Sequence, residues 1–176
     1  MRMIKFRKWN ICMGRSLLDF VKNTYYTIFM SKRERYKLSL SVFMILRDGN
    51  KVLLIKRGNT GWMDGYYSLP AGAIDGDETL THEIVRETKE EVNVEVDVKD
   101  ARYVHTMHNT TNGEEWIGSY FVTEKWKGEP IVNEPHKHTE VRWVDIGDIP
   151  EKTIPYVKQA LKAVESKEIY SEFGWK

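Results

Sequence analysis

Across residues 37–144 apolar side chains recur at every second position in short runs punctuated by turn dipeptides, which predicts a sheet with several of its strands joined by hairpins. Leu38, Leu40, Val42, Met44 and Leu46 alternate, Asp48-Gly49 supplies a tight turn, and residues 52–55 return. Val94, Val96 and Val98 alternate again, and residues 102–108 and 114–123 flank Asn112-Gly113, whose backbones accept the left-handed region that closes hairpins. Residues 140–144 predict a further strand. Helical spacing occurs over 79–92 and after Pro155, where Val157, Ala160, Leu161 and Val164 recur at three and four residues. Strands, helix, strands and helix in that order predict an α+β fold with a mixed sheet rather than a regular βαβ repeat.

A chain of 176 residues suits one domain able to bury a core. Its single cysteine, Cys12, makes no intramolecular disulfide and no cysteine-based zinc site, so any metal is held by oxygen or imidazole. The net charge of +1 conceals an asymmetry: ten Lys/Arg against Asp19 and Glu34 make residues 1–37 +8 and leave the remainder at −7. An acidic body excludes a generic DNA-binding role. The expected organisation is a basic extension over 1–35, a domain over 36–165 and a tail over 166–176. Within the extension, Leu17, Phe20, Val21, Thr24 and Ile28 have the spacing of an amphipathic helix, although an untied terminus is the expectation. No run reaches the roughly 18 consecutive apolar residues of a membrane-spanning helix, so a cytoplasmic location is expected.

The segment most telling for chemistry is 72–94. On a helix, Glu87, Glu90 and Glu91 stand at i, i+3 and i+4, with Glu83 one turn earlier, so their carboxylates converge. An ordinary solvated face sets Lys or Arg four residues after Glu. Here Glu83 is followed by Glu87 and Glu87 by Glu91, like-charge pairs that each cost about 0.2–0.5 kcal/mol in an isolated helix. A divalent cation with oxygen ligands offsets that repulsion, Mg²⁺ being the usual choice where carboxylates share an ion with phosphates.

This spacing resembles the Nudix box, G-x5-E-x7-R-E-U-x-E-E-x-G-U with U an aliphatic residue. Gly72, Glu78, Arg86, Glu87, Glu90, Glu91 and Val94 match it, while Thr88 replaces an aliphatic residue and Asn93 the second glycine. Asn tolerates the left-handed conformation of a helix end best after Gly, so the turn survives. The resemblance runs from about residue 38 to 161 and implies the Nudix α/β/α sandwich. It implies that Glu87, Glu90 and Glu91 bind Mg²⁺, or Mn²⁺ in its place, with the carbonyl of Gly72 as a further ligand, and that Glu78 and Arg86 pair as structural support.

Residues 126–134, followed by Trp143, are similar to a loop of mutator-type nucleoside triphosphate pyrophosphohydrolases, in which the acid matching Glu134 approaches the metals or serves as base. Among Trp62, Tyr66, Tyr67, Trp116, Tyr120 and Trp143, one or two are expected to stack on a base, with Trp116 and Tyr120 the candidates. Lys56 and Arg57, at a strand end, are candidate phosphate contacts. His105, His108, His136 and His138 lack the Glu-x-x-His pair of a helical zinc site, and no such site is expected.

The reading is a Mg²⁺-dependent hydrolase of a nucleoside diphosphate derivative, foremost a nucleoside triphosphate cleaved to monophosphate and pyrophosphate. The alternatives are a dinucleotide polyphosphate, a nucleotide sugar or capped RNA as substrate, or a non-catalytic nucleotide sensor, which loss of the carboxylates would have favoured. A homodimer is left open. A chain begun at Met30 is expected to keep full turnover of small nucleotides, because every motif lies beyond it; a lower kcat with folding intact would show that the extension reaches the site.

Overall fold

The computed structural model describes residues 35–74 and 76–176, and the unit considered below is Leu38–Lys176. The basic extension expected over 1–35, with its amphipathic spacing, lies outside the described residues apart from Arg35.

Strand β1 (Ser39–Asp48) organises the body. β6 (Glu114–Thr123) runs parallel to it, and β4 (Ala71–Ala73) antiparallel, with Val42 opposite Gly72. β5 (Arg102–Thr111) pairs antiparallel with β6, and β8 (Tyr170–Phe173) parallel with β5. At its far end β1 turns through Gly49, φ +58°, into β2 (Lys51–Arg57), which also pairs antiparallel with β3 (Tyr67–Ser68) and β7 (His138–Asp145). The eight strands form a mixed sheet.

Two helices account for the burial of β1 on both faces. Val42, Met44 and Leu46 pack with Ile84 and Val92 of α1 (Leu80–Val92), while Phe43 and Ile45 join Tyr156, Val157, Ala160 and Leu161 of α2 (Pro155–Glu165). Five successive buried residues, 42–46, mark a central strand covered on both sides, so the period-two reading captured only one of its faces. The result is the α/β/α sandwich of the expected α+β class.

Helix α1 begins where the Thr79 hydroxyl accepts a hydrogen bond from the His82 N–H at 3.3 Å. It ends where Asn93, at φ 58° and ψ 26°, takes the left-handed conformation expected for the box glycine. Buried Thr88 donates its hydroxyl to the Ile84 carbonyl at 2.6 Å, which explains how a polar residue occupies the aliphatic position.

Three expectations change. Val94 and Val96 are buried, but only Glu95 bridges to Lys127, and Val98 enters a 3₁₀ turn that Asp97 caps. Leu40 is 39% exposed, because the apolar layers close only from residue 42 onward. The segment 166–176 is no simple tail: it contributes β8 to the sheet edge, and Trp175 Nε1 donates to the His108 carbonyl at 3.1 Å. Among the described residues no helix is long and apolar enough to cross a membrane.

Because Asn93 is held in the left-handed region, Asn93→Gly should leave stability unchanged or slightly higher. Asn93→Val should lower it by about 1–2 kcal/mol, read by urea denaturation; equal stability of all three would mean that the helix end is free to relax.

Candidate active site

The acidic face of α1 meets β4 at a position where only glycine fits. A Cβ built on Gly72 would lie 2.7 Å from Cδ and 3.0 Å from Oε1 of Glu87. One residue earlier, the Ala71 N–H donates to Glu91 Oε2 at 2.8 Å. Strand and helix are thereby fastened through the glutamates themselves.

Arg86 anchors the rest of the face. Its Nε donates to Glu78 at 3.2 Å and its Nη2 to Glu83 at 2.6 Å, while Nη1 lies 3.0 Å from Glu87 and 3.1 Å from half-exposed Glu90. The hydrogen bond to Glu90, and then those to Glu83 and Glu78, push its pKa further up. Glu83, fully buried with Oε2 unpaired among the described residues, is an acid whose burial the sequence did not reveal. Burial first, then its hydrogen bond with Glu78, pushes its pKa up to about 7. Burial likewise raises Glu87. In Glu91, 6% exposed, burial raises the pKa to about 8 against the Ala71 hydrogen bond, and the Glu87 and Glu134 charges add to the rise. Buried carboxylates that resist ionisation beside one another want a cation.

Glu134 arrives on a loop that caps the end of α1. Carbonyls of the last helical turn have no partner within the helix, and the loop supplies three. The Asn133 side chain donates to the Glu90 carbonyl at 2.8 Å, the Asn133 N–H to Glu91 at 3.0 Å, and the Ile131 N–H to Val92 at 3.1 Å. Glu134 also lies 2.9 Å from Lys137 Nζ. His138, at the start of β7 and 3% exposed, places Nε2 3.6 Å from Glu91 Oε1. Burial pushes its pKa down to about 4. One ligand atom from each of Glu91, Glu134 and His138 lies within 4.8 Å of the others, a donor set that fits a divalent ion.

A cleft of about 400 Å³ has Ser41, Phe43, Trp62, Glu115, Trp116 and Tyr156 among its walls, and none of Gly72, Glu87, Glu90, Glu91, Glu134 and His138 lines it. Ser41 pairs with Ala73, but it lies with Phe43 on the face of β1 opposite Val42, the residue that pairs with Gly72 and packs toward α1. Trp116 stands edge-on to Tyr156 at 5.1 Å, and Trp62 stacks at 6.5 Å. Arg57 does not line the cleft: Nε donates to the Trp62 carbonyl at 3.0 Å and its guanidinium lies 5.0 Å from that indole, so it positions Trp62. Lys56 lies outside the lining as well, 3.6 Å from Glu140. Tyr120 requires correction as a base contact. It is fully buried and stacks on Phe43 at 4.6 Å, because its side of β6 faces the core under α2. Phe43 and Tyr156 were missed in the sequence, where strand alternation and helical spacing were their only signals, and His138 was weighed there beside His136 and set aside.

The NUDIX domain model matches residues 35–165. An ADP-ribose pyrophosphatase of Methanocaldococcus jannaschii is 28% identical over 147 residues, 80% of this chain and 85% of that protein. An 8-oxo-dGTP diphosphatase of Proteus vulgaris is 25% identical over 96 residues, 54% and 84% of the two chains. A solved MutT NUDIX hydrolase from Burkholderia pseudomallei superposes with a TM-score of 0.67 at 25% identity, covering 72% of this chain and 98% of that one. With three quarters of its length matched, the chain belongs to the NUDIX domain family. Its class is that of a hydrolase acting on acid anhydrides.

The raised carboxylates set a pH dependence without metal. Glu91 binds its proton more tightly folded, at about 8, than at the ordinary 4.5, so its contribution to stability is complete below 4.5 and lost as pH rises toward 8. His138 acts oppositely, its contribution being lost as pH falls from 6.5 toward 4. In chelator, the melting temperature should fall between pH 6.5 and 8, and Glu91→Gln should flatten that fall. An equal fall in the variant would detach the effect from Glu91.

Proposed function

We propose that this chain hydrolyses a phosphoanhydride bond of a nucleoside diphosphate derivative, with a nucleoside triphosphate, cleaved to monophosphate and pyrophosphate, as the foremost substrate. The observation that carries this reading is the meeting of Glu91 with Glu134 and His138 at the end of the helix that also carries Glu87 and Glu90. Trp62 and Trp116, in the walls of the cleft of about 400 Å³, supply flat apolar faces for a base.

The residues that would hold Mg²⁺, or Mn²⁺ in its place, are Glu87, Glu90, Glu91 and Glu134, with the Gly72 carbonyl. A divalent ion bound there supplies neutralisation of phosphate charge and a lowered pKa for the attacking water. The chain does the positioning. The Ala71 N–H orients Glu91, Glu78 and Glu83 fix Arg86, and Arg86 in turn holds Glu90, which would turn from it to a bound ion. One of these same carboxylates, Glu87 or Glu134, would also accept the proton of the water.

The relative with the longer alignment is an ADP-ribose pyrophosphatase, which favours a nucleotide sugar as the second reading. Turnover in ¹⁸O-water of normal and oxidised triphosphates, an adenosine diphosphate sugar and a diadenosine polyphosphate separates the substrates and locates the bond broken. Label in pyrophosphate means attack at the β-phosphorus, and label in the monophosphate attack at α. Glu90→Gln and Glu91→Gln should each lower kcat on the order of 100-fold without unfolding. Orthophosphate as sole product, turnover undiminished in chelator, or near-wild-type kcat in both variants would overturn the reading.

A further inference from the structure

His138 has no task in that reading, yet the fold brings it to the centre. It opens β7 opposite Arg57, next to the register shift between Lys56 and Arg57. Only 3% of the residue is exposed. Nδ1 is buried without a hydrogen-bond partner among the described residues, and Nε2 faces Glu91 Oε1 at 3.6 Å, beyond hydrogen-bonding range. A neutral imidazole carries one N–H and one lone pair. If Nε2 carries the lone pair, that lone pair opposes the Glu91 carboxylate oxygen, with a Glu134 oxygen in the same cluster; if it carries the hydrogen, the 3.6 Å gap leaves the bond unmade. A cation shared between nitrogen and oxygens resolves the first arrangement. Two ligand bonds of roughly 2.1 Å, meeting at an angle between octahedral and trigonal, hold their donor atoms about 3.0–3.6 Å apart.

We propose that His138 is a direct nitrogen ligand, with the Glu91 and Glu134 carboxylates, of a divalent ion at this centre, and that it biases the centre toward Mn²⁺ over Mg²⁺. The proposal rests on the reading of the acidic face as a metal centre and adds a donor outside its helix. Mg²⁺ is selected by oxygen ligands alone, whereas an imidazole nitrogen favours first-row transition ions. His136, 3.8 Å from Glu134 Oε1 but with its side chain 69% exposed, is the neighbouring histidine that must be told apart.

The test is pulsed electron paramagnetic resonance of the full chain loaded with Mn²⁺, with natural and ¹⁵N-labelled histidine, for the wild type, His138→Gln and His136→Gln. Calorimetric titration with Mn²⁺ and Mg²⁺ accompanies it. The expected result is an imidazole ¹⁴N coupling in the wild type and His136→Gln that labelling converts to ¹⁵N and His138→Gln abolishes. Mn²⁺ affinity should fall roughly 10-fold in His138→Gln, with Mg²⁺ affinity little changed. Bound Mn²⁺ without histidine coupling, or a coupling that survives His138→Gln, overturns the proposal while Mn²⁺-dependent turnover leaves the hydrolase reading standing. Failure of the wild type to bind either ion overturns both. Should His138→Gln fail to fold, labelled wild type and His136→Gln still decide: coupling retained without His136 supports His138, and coupling lost overturns it.

Discussion

The close approach of β4 to α1 is the constraint on which the site depends, and it exists because residue 72 has no side chain. With a Cβ there, Glu87 would be displaced, and the Ala71 N–H could not reach Glu91 from the same strand. That strand is also the antiparallel neighbour of β1, whose two faces bury both helices' apolar stripes. Core packing and placement of the glutamates are therefore one geometric condition, met at a single backbone position.

The charge arrangement around that contact is lopsided. Four carboxylates converge on the one guanidinium of Arg86, two of them, Glu83 and Glu87, substantially buried. Arg86 satisfies the half of the face nearer Glu78, and Glu91 is left with a backbone N–H and a neutral imidazole. Burial of a carboxylate without a paired cation is costly, so the uncompensated charge of the face is concentrated at its Glu91 end, away from Glu78 and Glu83.

What was legible in the sequence follows the range of the interactions. Glu87, Glu90 and Glu91 share a helix face through local spacing alone, and Asn93 ends that helix by its own backbone preference, so both were readable. The hairpin turns at Gly49 and Asn112-Gly113 were readable for the same reason, with φ of 58°, 55° and 81° in the structure. Tyr120 was misplaced because alternation separates two faces of β6 without saying which lies under a helix. β3, β4 and β8 have only two to four residues, too few for a period to register. His138 became informative only once β7 brought it to Glu91, which a long stretch of chain separates from it.

The loop that carries Glu134 ends the helix that carries Glu90 and Glu91, because its N–H groups and the Asn133 amide complete the last turn of α1. The splice divides the loop into two parts with different freedoms. Residues 131–134 are tied by hydrogen bonds that the helix end requires, whereas 127–130 follow a separate tie of Lys127 to Glu95. Within the span between these two ties Gly128 is itself constrained, at φ +92° and with a Cβ position 3.3 Å from the Asn93 carbonyl oxygen, so the natural place for the molecule to acquire new surface narrows to exposed Glu129.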